Sequence, residues 1–219
     1  MTKSSKILLI LFVFITLVGS ILVNKEFLLK KYADFFIINN ASKGADLILI
    51  LSGNILSRGP HAYHLLNQSY ADRIMITKRK WHKLPYGLKY PSDIELALEI
   101  KKKFKIKTEL EILPNQSGQG ALSTFDEAYD LLFFLKSENV KKIILVTDEH
   151  HSKRALLAFN KIISDKINVQ FQVSTPENQL YTKDNWWKSD LGLKAYILEI
   201  FLYIYYLIND GNSKKITNY

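Results

Sequence analysis

The sequence predicts an α/β fold, a Rossmann-like three-layer sandwich around a mostly parallel five-stranded sheet, preceded by one N-terminal transmembrane helix. Three observations predict it. Ile143–Val146 is a β-branched apolar run of the kind buried on both faces of a parallel sheet. It changes within one residue to the polar Thr147-Asp148, and Ala155, Leu156, Phe159, Ile162 and Ile163 follow at helical spacing. Four further short apolar runs alternate with helical patterns, as βαβ units require. Residues 7–23 carry no charge over 17 positions and follow Lys3 and Lys6, which at about 1.5 Å per residue is the short end of a bilayer span.

Taken in order, residues 1–24 form the anchor. Val18-Gly19-Ser20 is a poor small-residue cleavage site, which favours an uncleaved signal anchor over a cleaved signal peptide. Lys25, Lys30 and Lys31 lie just beyond the span and nearly balance Lys3 and Lys6, so charge alone sets no strong orientation. Residues 25–44 form a connector, with Phe27–Leu29 and Phe35–Ile38 predicting a short helix docked on the domain or on the membrane surface. The domain proper spans 45–209. Leu47–Leu51 is its first strand, ending at Ser52-Gly53-Asn54, and 58–67 is a helix. Arg73–Thr77 is the second strand. Ser92 with Glu95 forms a capping box that opens a helix to about Phe104, and Glu109–Leu113 is the third strand. Thr124 with Glu127 forms a second box, on a helix burying Phe125, Ala128, Leu132 and Leu135. After the fourth strand and its helix, Val169–Val173 is the fifth strand. Trp186-Trp187 precede a last apolar helix, 191–208. Lys194 and Glu199 within it argue against a second span and for packing on the sheet, with Tyr196, Tyr203, Tyr205 and Tyr206 partly outward. Residues 210–219 are a polar tail.

The chain has 219 residues, 47% hydrophobic and 23% charged, in the range of a folded domain with an appendage. Thirty Lys+Arg against 21 Asp+Glu give a net charge of +9, which suits anionic partners. There is no cysteine, which excludes disulfides and thiolate metal sites. His150 and His151 beside Asp148 could suggest a metal, but adjacent helical residues point about 100° apart, so no metal site is expected. Neither Gly-x-Gly-x-x-Gly nor Gly-Lys-Ser occurs, and no cofactor is specified.

In an open α/β sheet, ligands bind at the carboxyl ends of the strands. The first strand delivers Ser52, Gly53 and Asn54, with Arg58 one turn on. The third delivers Ser123, Thr124, Asp126 and Glu127, and the fourth delivers Thr147, Asp148, His150, His151 and Arg154. Helix N-termini, hydroxyls and two arginines would form a cradle for a phosphate or oxyanion. Asp126, Glu127 and His151 would supply acid–base function. Capping alone accounts for Ser123, Thr124 and Asp148, and a turn for Ser52-Gly53. The basic loop 78–83, with Trp81 inside it, reads as solvated or facing anionic headgroups rather than nucleic acid.

Together these segments resemble the YdcF/SanA/ElyC-like family of bacterial proteins, a domain of unknown function. The likeness covers about 45–208 and rests on Ala45-Asp46 entering the first strand, Ser52-Gly53 with Arg58, and Thr124-Phe125-Asp126-Glu127-Ala128. It is most specific at Leu145–Ala155, where the family reads Leu-Val-Thr-Ser-x-x-His-x-x-Arg-Ala, and it extends to Trp186-Trp187 and Glu199. Departures are Thr77-Lys78 for a Ser-Gly turn, Asp126-Glu127 for Glu-Asn, Asp148 for serine, and one glycine instead of two in the first turn. They bear on mechanism more than on fold. The resemblance implies a Rossmann-like domain held on the outer face of the cytoplasmic membrane, with links to envelope integrity, peptidoglycan assembly and lipid-carrier metabolism. It brings no settled reaction. The expectation is an anchored envelope protein binding a phosphorylated or lipid-linked intermediate, with Arg58 and Arg154 on the anion. Ser52, Gly53 and Thr124 would donate hydrogen bonds, and His151 with Asp126 or Glu127 would move a proton. One alternative is a scaffold that binds a protein partner through the aromatic terminal helix. Another is a transferase using a nucleotide-like cofactor such as S-adenosylmethionine.

Overall fold

The computed structural model describes residues 3–80, 90–116 and 118–211. Two N-terminal helices, α1 (Lys3–Val23) and α2 (Lys25–Asp34), precede the α/β body. The body runs β1 (Ala45–Ile50), α3 (Ile55–Asn67), β2 (Ala71–Ile76), α4 (Asp93–Lys103), β3 (Leu110–Ile112), α5 (Thr124–Leu135), β4 (Lys142–Val146), α6 (Ser152–Ile163), β5 (Gln170–Ser174) and α7 (Asp190–Ile208). Single 3₁₀ turns at Glu149–His151 and Trp186–Lys188 lead into α6 and toward α7.

All five strands are parallel, in the order β3-β2-β1-β4-β5. Alternation along each strand divides the core. Leu47, Leu49, Met75, Ile143, Leu145 and Val173 pack with α5 and α6 on one face. On the other, Ile48, Ile50, Ile74, Ile76, Ile144 and Val146 pack with α3 and α4. The body is therefore the three-layer α/β sandwich that the alternating pattern predicts. The order reverses between β1 and β4, so their carboxyl ends flank a crevice where connections diverge to opposite faces.

The observed bounds shift by a few residues from the expected ones. The largest difference is α3, which starts at Ile55 instead of Arg58, because Gly59-Pro60 obscures its first turn in the sequence while buried Ile55 anchors it. The second capping box is a true correction. Ser123, not Thr124, caps α5, and its partner is Asp126, not Glu127. The one-residue slip turns Glu127 from the helix surface into the interior, where it is buried.

Helix α1 buries no residue and is long and apolar enough to cross a membrane. Backbone hydrogen bonds run through Asn24, which separates it from α2. Helix α2 docks on the body. Its Ala33, with Phe36 just beyond it, packs with Trp186 and Tyr196, Tyr32 Oη donates to the Tyr196 carbonyl at 2.7 Å, and Trp186 Nε1 donates to the Leu29 carbonyl at 3.2 Å. The chain then runs along the β5 edge, where Asn40 and Ala41 N–H donate to the Val173 carbonyl and Asn40 Oδ1 accepts from Val173 N–H. That covers a strand edge that would otherwise be open.

The terminal helix differs from expectation. It packs on α2, α6 and the Glu149–His151 turn instead of the sheet. Tyr196 and Tyr206 point inward and are buried, whereas Tyr203 is half-buried and Tyr205 exposed as expected, and the rest of the outward face carries mainly Leu, Ile and Phe. Of the polar tail only 210–211 lies within the described residues, and of the basic loop only 78–80.

Candidate functional site

The turn after β1 is shaped by close contacts. Gly53 has φ +128°, in the left-handed region, and a Cβ there would lie 3.1 Å from Arg58 Nη1, so glycine both permits the turn and makes room for the guanidinium. Arg58 is only 5% exposed. Its Nη1 donates to the carbonyls of Leu51 (3.0 Å) and Ser52, and its Nη2 donates to Asp148 Oδ2 at 2.6 Å. Asp148 accordingly makes no side-chain capping bond at the turn it precedes. Its carboxylate reaches across the crevice and ties the β4 end to the β1 end, a correction to its reading as a cap.

Backbone N–H groups expected to cradle an anion are met by the protein's own carboxylates. Gly53 N–H donates to Asp93 Oδ2 at 3.0 Å, and Ser52 N–H donates to Glu127 Oε1 at 2.9 Å. The same Glu127 oxygen accepts from Ser52 Oγ at 2.8 Å and Thr77 Oγ1 at 2.5 Å. Burial pushes the Glu127 carboxyl up, opposed by these hydrogen bonds and by Arg58. At the start of α5, Asp126 accepts from Leu122 N–H, Ser123 N–H and Ser123 Oγ, and Thr124 N–H donates to Tyr206 Oη at 3.1 Å. Asp126 is thus engaged as a capping residue.

His151 is buried between two hydroxyls, with Nδ1 2.7 Å from Thr147 Oγ1 and Nε2 3.2 Å from Thr124 Oγ1. Burial, reinforced by Arg154, Arg58 and His150, holds its pKa well below the ordinary value, so the ring is neutral. In the tautomer with Nδ1 protonated, it donates to Thr147 and accepts the Thr124 proton at Nε2. His150 is held down to about 4, chiefly by burial, with Asp148 opposing. Arg154 forms a bidentate pair with Glu199 of α7 (Nε–Oε1 2.6 Å, Nη2–Oε2 2.9 Å) and stacks over the Tyr206 ring at 5.0 Å.

These groups meet at a cavity of about 590 Å³. Of the residues expected at the site, Ser52, Arg58, Ser123, Thr124, Glu127, His151 and Arg154 line it, as does His150. Gly53, Asn54, Asp126, Thr147 and Asp148 do not. Thr147 and Asp148 instead stand behind His151 and Arg58, fixing them. Sequence reasoning missed Arg79 and Lys80, and the wall of Leu202, Tyr205 and Tyr206 from α7. A signal existed for the first pair, since they follow β2 and so lie at the same carboxyl edge. A parallel bridge between Arg79 and Ala121 holds that segment, with Lys80 N–H donating to the Ala121 carbonyl at 2.9 Å.

The chemistry follows from the lining. Four cationic side chains (Arg58, Arg79, Lys80, Arg154) and one carboxylate, Glu127, line the cavity. Asp148 and Glu199 neutralise Arg58 and Arg154 from behind, which leaves a small positive excess that suits an anion. Two hydroxyl–base pairs, Ser52 with Glu127 and Thr124 with His151, are equipped to move a proton. Among the described residues, no group of three His, Asp or Glu is arranged to hold a metal ion. The chain matches no family model, and a comparison with curated proteins returns no match.

Proposed function

We propose that the chain is a membrane-anchored cell-envelope protein of the YdcF/SanA/ElyC type that binds a phosphorylated, lipid-linked intermediate in the cavity at the β1–β4 crevice. The observation that carries this reading is the mixed lining. Cationic and hydroxyl side chains share the cavity with Leu202 and the aromatic rings of Tyr205 and Tyr206 from α7. An anionic head with an apolar body matches that mixture. Helix α1 serves as the anchor and carries the domain on the outer face of the cytoplasmic membrane. Arg58 and Arg154, each oriented by its carboxylate partner, border the anion together with Arg79 and Lys80. Ser52, Ser123 and Thr124 hydrogen-bond it, and the neutral His151 and the buried Glu127 handle any proton that moves.

Thermal unfolding of the full chain in detergent, with and without a polyprenyl phosphate, tests the reading. A Tm increase that Arg79→Ala and Lys80→Ala diminish supports it. Absence of stabilisation by polyprenyl phosphate, or a shift unchanged in both variants, refutes it.

A further inference from the structure

The outward face of α7 is apolar to a degree that a water-facing helix does not tolerate. At 100° per residue, the buried positions Gly192, Tyr196, Glu199 and Tyr206 cluster on one narrow arc. The remaining arc, more than half the circumference, carries Ile197, Leu198, Phe201, Ile204 and Ile208, each at least 45% exposed, with Asp190 and Lys194 as charged members near its start. Isolated apolar side chains on a surface are ordinary, but a continuous helical stripe of them marks an interaction surface. The patch extends onto the end of α2, where exposed Phe35 meets Tyr203 edge-on at 5.6 Å.

We propose that this face of α7 lies in the interfacial layer of the same bilayer that receives α1, making the protein bound to the membrane at two places. The inference rests on the reading of α1 as an anchor. Three features favour lipid as the occupant. Helix α2 is pinned to α7 by Tyr32 and Trp186 and continues from α1 through a single residue, so the stripe is tethered close to the anchor. Exposed Lys25 at the start of α2, Lys188 in the turn before α7 and Lys194 in its first turns supply cations for anionic headgroups, beside Lys30 and Lys31, which also pair with Asp184 and Asp34. The helix also lacks the polar outward face of a solvated helix, and its buried Glu199 and Arg154 pair fixes which side turns inward. The helix lies along the surface and does not cross, because its other side is committed to α2 and α6.

The chain contains no cysteine, so single cysteines can be introduced and labelled without background. An environment-sensitive fluorophore is placed at Phe201→Cys or Ile204→Cys in the full chain, reconstituted in phosphatidylcholine–phosphatidylglycerol vesicles. Val13→Cys in α1 and Lys102→Cys on α4 serve as references. The expected result is blue-shifted emission at 201 and 204, most of it lost when nitroxide-labelled lipids are included, with no loss at 102. Emission at 201 and 204 that is quenched by aqueous iodide but not by nitroxide lipid overturns the inference. Shielding from both quenchers also overturns it, since a second copy or a protein partner would then cover the face. The label at 13 reports the anchor separately: lipid quenching there without quenching at 201 removes only the α7 contact, and its absence removes the anchor reading itself.

Discussion

Replacing Arg154 with alanine should leave Glu199 as an isolated carboxylate in the interior. Glu199 is 1% exposed, and both its oxygens are held by Arg154 at 2.6 and 2.9 Å. Breaking such a pair from one side costs about 3–5 kcal/mol. For a chain of this size that corresponds to a Tm loss of roughly 6–20 °C. The loss should depend on pH with a defined sign. Burial already raises the Glu199 carboxyl and Arg154 opposes that rise, so the variant carries a still higher native pKa. A native pKa above the unfolded one means the native state binds more protons in the window between them, and stability falls as pH rises through it. The deficit of Arg154→Ala should therefore be largest at neutral pH and shrink at about pH 4.5 or below. The double variant Arg154→Leu/Glu199→Leu should recover most of the stability at every pH. Urea unfolding of the full chain in detergent at pH 4.5 and 7.5 measures all three proteins. A loss under about 1 kcal/mol, or one equal at both pH values, would refute the view that this pair is buried and coupled. The cycle also separates roles, because ligand binding lost in the single variant but restored in the double one reflects folding, not contact.

Three further outcomes are expected. Both cavity histidines are neutral in the native state, so stability falls by about 1.4 kcal/mol per pH unit for each as the pH drops below about 6.5. Over pH 4–6.5, the window set by a native value of about 4, the urea-unfolding profile of His150→Gln should be shallower than that of wild type by this slope, and the difference between them should change with pH there. Glu127→Ala strands the hydroxyls of Ser52 and Thr77 while Ser52 N–H keeps Thr77 Oγ1, which should cost about 2 kcal/mol, with Glu127→Gln retaining most of the stability in the same assay. Gly192→Ala would drive a Cβ into the Trp186 backbone and should cost about 3 kcal/mol and weaken the near-ultraviolet tryptophan signal. An unchanged spectrum would place the α7 start elsewhere.

The sheet was legible because its evidence is local and repeated. Runs such as Leu47–Ile50 and Ile143–Val146 are too apolar for any place but a two-faced interior, and parallel connection constrains their ends to one edge. The residues gathered at that edge were legible for the same reason. Their partners were not. Arg58 meets Asp148 and Arg154 meets Glu199 across 90 and 45 positions, and no spacing rule reports such contacts. The misplaced capping box shows a finer ambiguity. Ser123-x-x-Asp126 and Thr124-x-x-Glu127 both fit the pattern, and packing of Glu127 beneath Ser52 and Thr77 decides between them. The outward face of α7 was not legible because Lys194 and Glu199 argue in the sequence against a membrane span, whereas Glu199 is turned inward.

The docking of α2 bears on which molecules the cavity can meet. No slack chain separates α1 from the body, since Asn24 passes hydrogen bonds on both sides and the Trp186–Tyr196 cluster clamps the next helix; the proposed seating of α1 in a lipid sheet would therefore hold the body at the membrane. A domain on a leash sweeps a hemisphere of solvent, whereas one on a bracket keeps a single standing height. Reach, and not affinity alone, then selects the molecules encountered, and a Gly-Ser insertion after Asn24 would widen that range without altering one atom of the cavity.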